Sequence, residues 1–150
     1  MVAEMIKEFQ GEYRWLSNFW PVDIEYEGLQ YPSVEHAYQA AKFLDCKIRE
    51  EFTYGSPGRA KRLTRQKGLA ELMRTDWDNI KLSIMLDLTR KKYRADKGLA
   101  TKLINTGDMY IEEGNTWGDK FWGVCKGRGA NILGLIIMTV REELRNESSL

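Results

Sequence analysis

The sequence predicts an α+β fold, a mostly helical single domain with a small antiparallel sheet. Three observations carry that expectation. Apolar residues recur at helical spacing in several capped segments, and strand-like patterns are confined to short stretches. The chain of 150 residues, 43% of them hydrophobic, is also the size at which a single core forms, and no repeat or Pro/Gly/Ser linker divides it.

The elements follow in order. Asp23-Ile24-Glu25-Tyr26-Glu27 alternates polar and apolar, Gly28 offers a turn, and Leu29-Gln30-Tyr31 returns, which predicts a short hairpin. Ser33 follows Pro32 and precedes an unbroken run of helix formers, so its hydroxyl can cap a helix from Val34 to Leu44. Ser56 and Pro57 suit the cap and first position of a helix reaching Arg65, and a second short helix is expected from Gly68 to Arg74. From Ile80 to Tyr93, residues Ile80, Ile84, Met85 and Leu88 repeat at helical spacing, with Lys91, Lys92 and Arg94 at the negative end of the helix dipole. A further helix spans about Lys97 to Asn105 and stops at Gly107. Met109 to Glu112 reads as a strand, and Asn131 can cap a final amphipathic helix from Ile132 to Arg145.

Charge and cysteine usage exclude several classes. With 23 basic and 22 acidic residues the net charge is +1, so no global field draws the chain to nucleic acid or anionic membrane, and any phosphate affinity must be local. Cys46 and Cys125 form no C-x-x-C, and the one histidine cannot complete a typical zinc set, so free thiols and no metal are expected. Charges at Glu4, Lys7 and Glu8 interrupt any signal-peptide core, and no run reaches membrane-spanning length. A cytoplasmic protein without membrane partners is the expectation.

Five constellations could carry chemistry. WLSNFWP, residues 15–21, sets Ser17 and Asn18 among aromatic rings, either to meet a base or sugar or to anchor a core loop. Glu35, Gln39 and Lys42 stand at i, i+4 and i+7, so one helix face carries acid, amide and amine; an ordinary polar stripe would look the same. The first-turn amides of that helix could receive an anion, and His36 points about 100° away from Glu35 and reads as structural or surface. In IEEGNTWGDKFWGVCKGRGANILG, residues 111–134, Gly127-Arg128-Gly129 would let backbone approach a ligand, although connecting loops share this composition; neither a P-loop nor a dinucleotide fingerprint is present. Trp77 lies between Asp76 and Asp78, as a core ring or a stacking platform, and Arg59 to Arg65 is a local basic patch in which Lys61 and Arg62 could grip phosphate.

These motifs together resemble the NADAR family, which includes the YbiA-like N-glycosidases. The likeness rests on WLSNFWP at 15–21, YPSVEHAYQAAKF at 31–43, SPGRAKRLTR at 56–65, Asp76-Trp77, EEGNTWGDKFWGVCKGRGANILG at 112–134 and MTVREEL at 138–144, in that order over nearly the whole chain. The resemblance implies an α+β fold, cleavage of a base-ribose C–N bond, and no metal or redox cofactor. The implied substrate is a ribosylated aminopyrimidine phosphate of the riboflavin pathway, or ADP-ribose joined to guanine, free or in nucleic acid. It carries Asn18, Glu35, Lys42, Lys61, Trp77, Glu112, Trp117, Asp119 and Asn131 to the site.

Departure of a base builds positive charge on ribose C1, so a fixed carboxylate would favour the transition state; Glu35 and Asp119 are the candidates. A lysine could instead capture C1 as a Schiff base, with Lys42 preferred to Lys61 because it shares the face of Glu35. Asn18, Lys61, Trp77, Glu112, Trp117 and Asn131 are then expected to bind substrate. The rival readings are a binding module for ADP-ribose or NAD without turnover, and a nucleic-acid-binding regulator built on Arg59–Arg65 with Lys91, Lys92 and Arg94.

Overall fold

A computed structural model of the chain describes residues 4–148. In chain order the elements are β1 (Met5–Ile6), a 3-10 segment (Gly11–Leu16), β2 (Ile24–Tyr26), β3 (Leu29–Tyr31), α1 (Val34–Ala40), α2 (Cys46–Glu50) and α3 (Pro57–Leu63). After a 3-10 turn (Ala70–Leu72) come α4 (Trp77–Ala95), α5 (Lys97–Asn105), β4 (Tyr110–Ile111), β5 (Gly114–Asn115), β6 (Val124–Cys125) and α6 (Ile132–Ser148). Helix dominates and the strands are short, in an α+β fold. The chain divides into two compact units, Asn18–Ala95 and the stretch ending at Ser17 together with the stretch beginning at Asp96.

In the unit Asn18–Ala95, β2 and β3 form the expected antiparallel hairpin, with Ile24 opposite Tyr31 and Tyr26 opposite Leu29. Ile24 and Tyr26 are buried while Glu25 between them is exposed, so the sequence alternation is the inside-outside alternation of the strand. All seven residues of α1 are buried, because α3, α4 and the hairpin each pack against it. Ala37, Ala40 and Ala41 are fully buried, and their small size lets these neighbours close on the helix.

Helix α1 stops at Ala40, four residues before the expected end. Lys42 and Phe43 donate to carbonyls only three residues back, Gln39 and Ala40, which tightens the last turn. The freed carbonyl of Lys42 accepts from the amide of Arg74 at 2.8 Å, so the helix end is satisfied by a distant segment. The helix expected from Gly68 to Arg74 is only a 3-10 turn at Ala70–Leu72: Gly68 adopts φ +94°, and Leu72 and Met73 stay exposed, so no apolar face docks to support a longer one. Helix α2 was not expected; Asp45 caps it by accepting from the amides of Lys47 and Ile48.

In the other unit, β1 pairs in parallel with β4, and β5 in parallel with β6. The expected sheet was antiparallel; among the described residues only the hairpin is. Two-residue strands carry no period for a sequence to show. Ile6 and Ile111, partners across β1 and β4, are buried together, and α6 packs on β4 and α5. Buried Arg141 on α6 donates to Thr106 Oγ1 at 3.0 Å and to the Met109 carbonyl at 2.8 Å, which fixes the turn entering β4. Among the described residues no helix is long and apolar enough to cross a membrane.

Candidate active site

The ends of α1 organise the side chains of interest in the unit Asn18–Ala95. Ser33 caps α1 by accepting from the amide of His36, and its hydroxyl meets His36 Nδ1 at 2.7 Å. His36 Nε2 lies 2.9 Å from the Gly55 carbonyl and must donate to it, which leaves Nδ1 to accept from Ser33. Burial pushes this imidazole below its usual value, so it is a neutral tie between α1 and the turn before α3. The first turn of α1, whose amides could have received an anion, spends donors within the protein. The amide of Glu35 donates to the Asn18 carbonyl at 3.0 Å and that of His36 to Ser33, so these donors are taken.

Asn18 thereby positions Glu35 through its backbone, while its side-chain amide reaches Met85 Sδ at 3.6 Å. Glu35 is 8% exposed, and its Oε1 accepts from Gln39 Nε2 at 2.8 Å. Three residues on, the Lys42 amine lies 5.4 Å from the Tyr38 ring centre and 5.9 Å from that of Trp77. These rings meet edge to face, centroids 5.1 Å apart. Among the described residues the amine makes no hydrogen bond and no ion pair; the ring faces hold it. Burial pushes its pKa below the ordinary lysine value; Glu35 opposes that shift, and the charges of Arg65, Lys61 and Lys81 add to it.

The backbone beside this amine is fixed. Arg74 donates from its amide to the Lys42 carbonyl and from Nη1 to the Ala41 carbonyl, and its guanidinium grips Asp76 through Nε at 2.7 Å and Nη2 at 3.1 Å. Trp77 follows directly as the first residue of α4, so the Arg74–Asp76 pair sets the indole against the lysine. Trp77 is 7% exposed and serves as a wall for Lys42. Lys61 sits half-buried on α3.

The remaining expected residues lie in the other unit, where side chains shape loops. Asn131 is 2% exposed at φ +54°; its Oδ1 accepts from the Glu113 amide at 2.9 Å, and its Nδ2 donates to the Ile111 carbonyl at 2.9 Å and to Tyr110 Oη at 3.3 Å. The carboxamide thus clasps β4 and its continuation, whereas a cap on the first-turn amides of α6 was expected. Asp119 Oδ1 accepts from the amides of Phe121 and Trp122, and Asn115 brackets Asp119 by accepting from its amide and donating to its carbonyl. Glu112 is half-buried, its amide donating to the Ile6 carbonyl, and Trp117 is exposed.

Of the glycines here, whose composition left ligand approach and a connecting loop both open, Gly123 and Gly129 sit at close chain crossings. A Cβ on Gly123 would overlap the carbonyl and carboxylate of Glu113, and one on Gly129 would overlap the Gly123 carbonyl. Lys126 and Gly127, at φ +53° and +76°, form the tight turn that returns Arg128 to Cys125. Among the described residues no three His, Cys, Asp or Glu side chains are grouped to hold a metal.

The structure therefore brings Asn18, Glu35, Lys42, Lys61 and Trp77 together in one unit, and Glu112, Trp117, Asp119 and Asn131 belong to the other. Sequence reasoning left Tyr38 and Arg74 out of the site. Tyr38 stands four residues before Lys42, a spacing that signals contact; the Arg74 tie is long-range and leaves no local signal.

Comparison with known proteins places the chain in a family. The NADAR domain family model matches residues 6–145, through both units. A riboflavin biosynthesis protein of Vibrio vulnificus is 38% identical over 135 residues, covering 89% of this chain but 36% of that protein, so the chain spans about a third of its length. The N-glycosidase YbiA of Escherichia coli K12 is 35% identical over 140 residues, covering 91% of this chain and 84% of YbiA. The NMR structure of E. coli YbiA superposes with a TM-score of 0.83 at 32% identity, over 99% of this chain and 89% of that one. With a matched fold and a family model spanning almost its whole length, the chain belongs to the NADAR domain family.

Proposed function

We propose that this protein, a glycosidase acting on N-glycosyl compounds, hydrolyses the C–N bond between ribose C1 and the aminopyrimidine of a ribosylated aminopyrimidine phosphate. One observation carries the reading: a lysine amine walled by Tyr38 and Trp77, without a hydrogen-bond partner among the described residues, beside the buried carboxylate of Glu35. The shift of Lys42 below the ordinary lysine value enlarges its neutral, nucleophilic fraction near neutrality. The riboflavin biosynthesis name of one relative and the N-glycosidase name of another favour an aminopyrimidine as leaving group over guanine.

In the mechanism, the Lys42 Nζ lone pair forms a bond to C1 while the C1–N bond breaks; its electron pair leaves with the aminopyrimidine, which takes up a proton. Glu35 stabilises the positive charge that grows on C1 and accepts the proton released by the new ammonium. Ring opening gives an imine between Nζ and C1, and water hydrolyses it, returning the amine and releasing ribose phosphate. Lys61 supplies a cation for the phosphate, and Asp119 and Asn131 hold the loops of their own unit.

The test is chromatography of products from a panel containing ribosylamino-pyrimidine phosphate and ADP-ribosylated guanine. Release of free aminopyrimidine, lost in Lys42→Ala and Glu35→Gln variants that remain folded, is the expected result. Saturable binding without base release refutes the enzyme reading, and release from guanine alone refutes the substrate.

A further inference from the structure

Gln39 stands between Glu35 and Lys42 in sequence and is 5% exposed. Its Nε2 is spent on Glu35 Oε1 at 2.8 Å, but its Oε1 is buried with no hydrogen-bond partner among the described residues. The orientation of this amide is fixed, because turning it over would set oxygen against the Glu35 carboxylate. A buried carbonyl oxygen without a donor is destabilising, and the backbone tie from the Lys42 amide to the Gln39 carbonyl at 3.2 Å keeps the residue in place.

Resting on the reading that Lys42 and Glu35 act at ribose C1, we propose that Gln39 Oε1 accepts a hydrogen bond from the 2′-hydroxyl of the substrate and so selects ribosyl over 2′-deoxyribosyl compounds. Two donors adjoin C1 in such a substrate: the hydroxyl on C2 and the N–H of the leaving amine. An acceptor on the amine would push electron density onto a nitrogen that must depart with more of it, opposing cleavage. An acceptor on the 2′-hydroxyl enriches the oxygen next to the developing positive charge, and this contact strengthens as the C1–N bond breaks. Gln39 then has two tasks: one end orients Glu35, and the other reads the sugar.

The experiment compares kcat/KM for ribosyl and 2′-deoxyribosyl forms of one substrate in the unaltered protein, Gln39→Met and Gln39→Ala. Deoxyribosyl bonds break more readily without any enzyme, so the quantity read is the ribosyl-to-deoxyribosyl ratio relative to the uncatalysed ratio. Loss of Glu35 orientation slows both substrates alike, whereas loss of the 2′-hydroxyl contact lowers this ratio. It is expected to fall about tenfold in both variants, chiefly through kcat. An unchanged ratio in the variants overturns the assignment. So does a corrected ratio of one in the unaltered protein, a measurement that needs no variant to fold. Absence of base release from any ribosyl substrate overturns the parent reading as well, and so stands apart from a failure of Gln39 alone.

Discussion

Replacing Asn131 separates a residue that builds the fold from one that binds substrate, the role the family resemblance assigns it. The side chain is buried and makes three hydrogen bonds, to the Glu113 amide, the Ile111 carbonyl and Tyr110 Oη. Alanine strands buried partners that lose about 1–3 kcal/mol apiece where water cannot reach them; Tyr110 is exposed enough to be rehydrated, so two partners count. At φ +54° alanine adds about 1 kcal/mol of backbone strain that asparagine tolerates better. Asn131→Ala is therefore expected to lose about 3–7 kcal/mol in urea unfolding followed by circular dichroism. Asn131→Gly loses the same bonds without the strain, and should be about 1 kcal/mol less destabilised. Variants within about 1 kcal/mol of the parent that nonetheless fail to bind substrate would refute this reasoning and return Asn131 to the ligand.

Further outcomes follow from the same geometry. The pH profile of kcat/KM should rise through an inflection below the ordinary lysine range as Lys42 loses its proton; Lys61→Met, which removes a neighbouring positive charge, should move that inflection upward, and a fixed inflection contradicts the assignment. Lys92 is fully buried, and burial pulls its pKa down to about 7. The folded state then binds fewer protons than the unfolded one above that value, so stability should climb with pH from about 7 towards the ordinary lysine value of 10.5, by at most about 1.4 kcal/mol per unit from this group. Urea unfolding of Lys92→Met should show a shallower climb, the shift at Lys42 supplying the remainder. Gly123→Ala should cost several kcal/mol or prevent folding, because its Cβ overlaps Glu113; Gly118→Ala meets nothing within 4 Å and should cost only about 1 kcal/mol for its φ of +86°.

The helical frame was legible because caps and apolar spacing are local. Ser33, Ser56 and Pro57 mark the starts of α1 and α3 where the structure has them, and the 23–31 hairpin shows in its alternation. Ends and pairings were not. Helix α1 stops at Ala40 because Arg74, 32 positions beyond Lys42, captures the Lys42 carbonyl, and a β1 of two residues has no period. The face of Glu35, Gln39 and Lys42 follows from spacing alone, but whether it is a solvated stripe or a site depends on burial that α3 and α4 impose. The Gly/Trp-rich segment was open between ligand loop and connecting loop because the close neighbours of its glycines are long-range: a Cβ on Gly123, Gly129 or Gly134 would overlap Glu113, the Gly123 carbonyl or the Ile111 carbonyl, whereas Gly118 and Gly127 meet nothing within 4 Å.

The central claim is that the Lys42 amine bonds to the sugar during turnover. Borohydride added during reaction with ribosylamino-pyrimidine phosphate, followed by peptide mass spectrometry, tests it most directly. A reduced ribose phosphate adduct on Lys42 is expected, absent without substrate and absent in Lys42→Ala. Full turnover with no adduct on Lys42, or an adduct confined to Lys61, would contradict it.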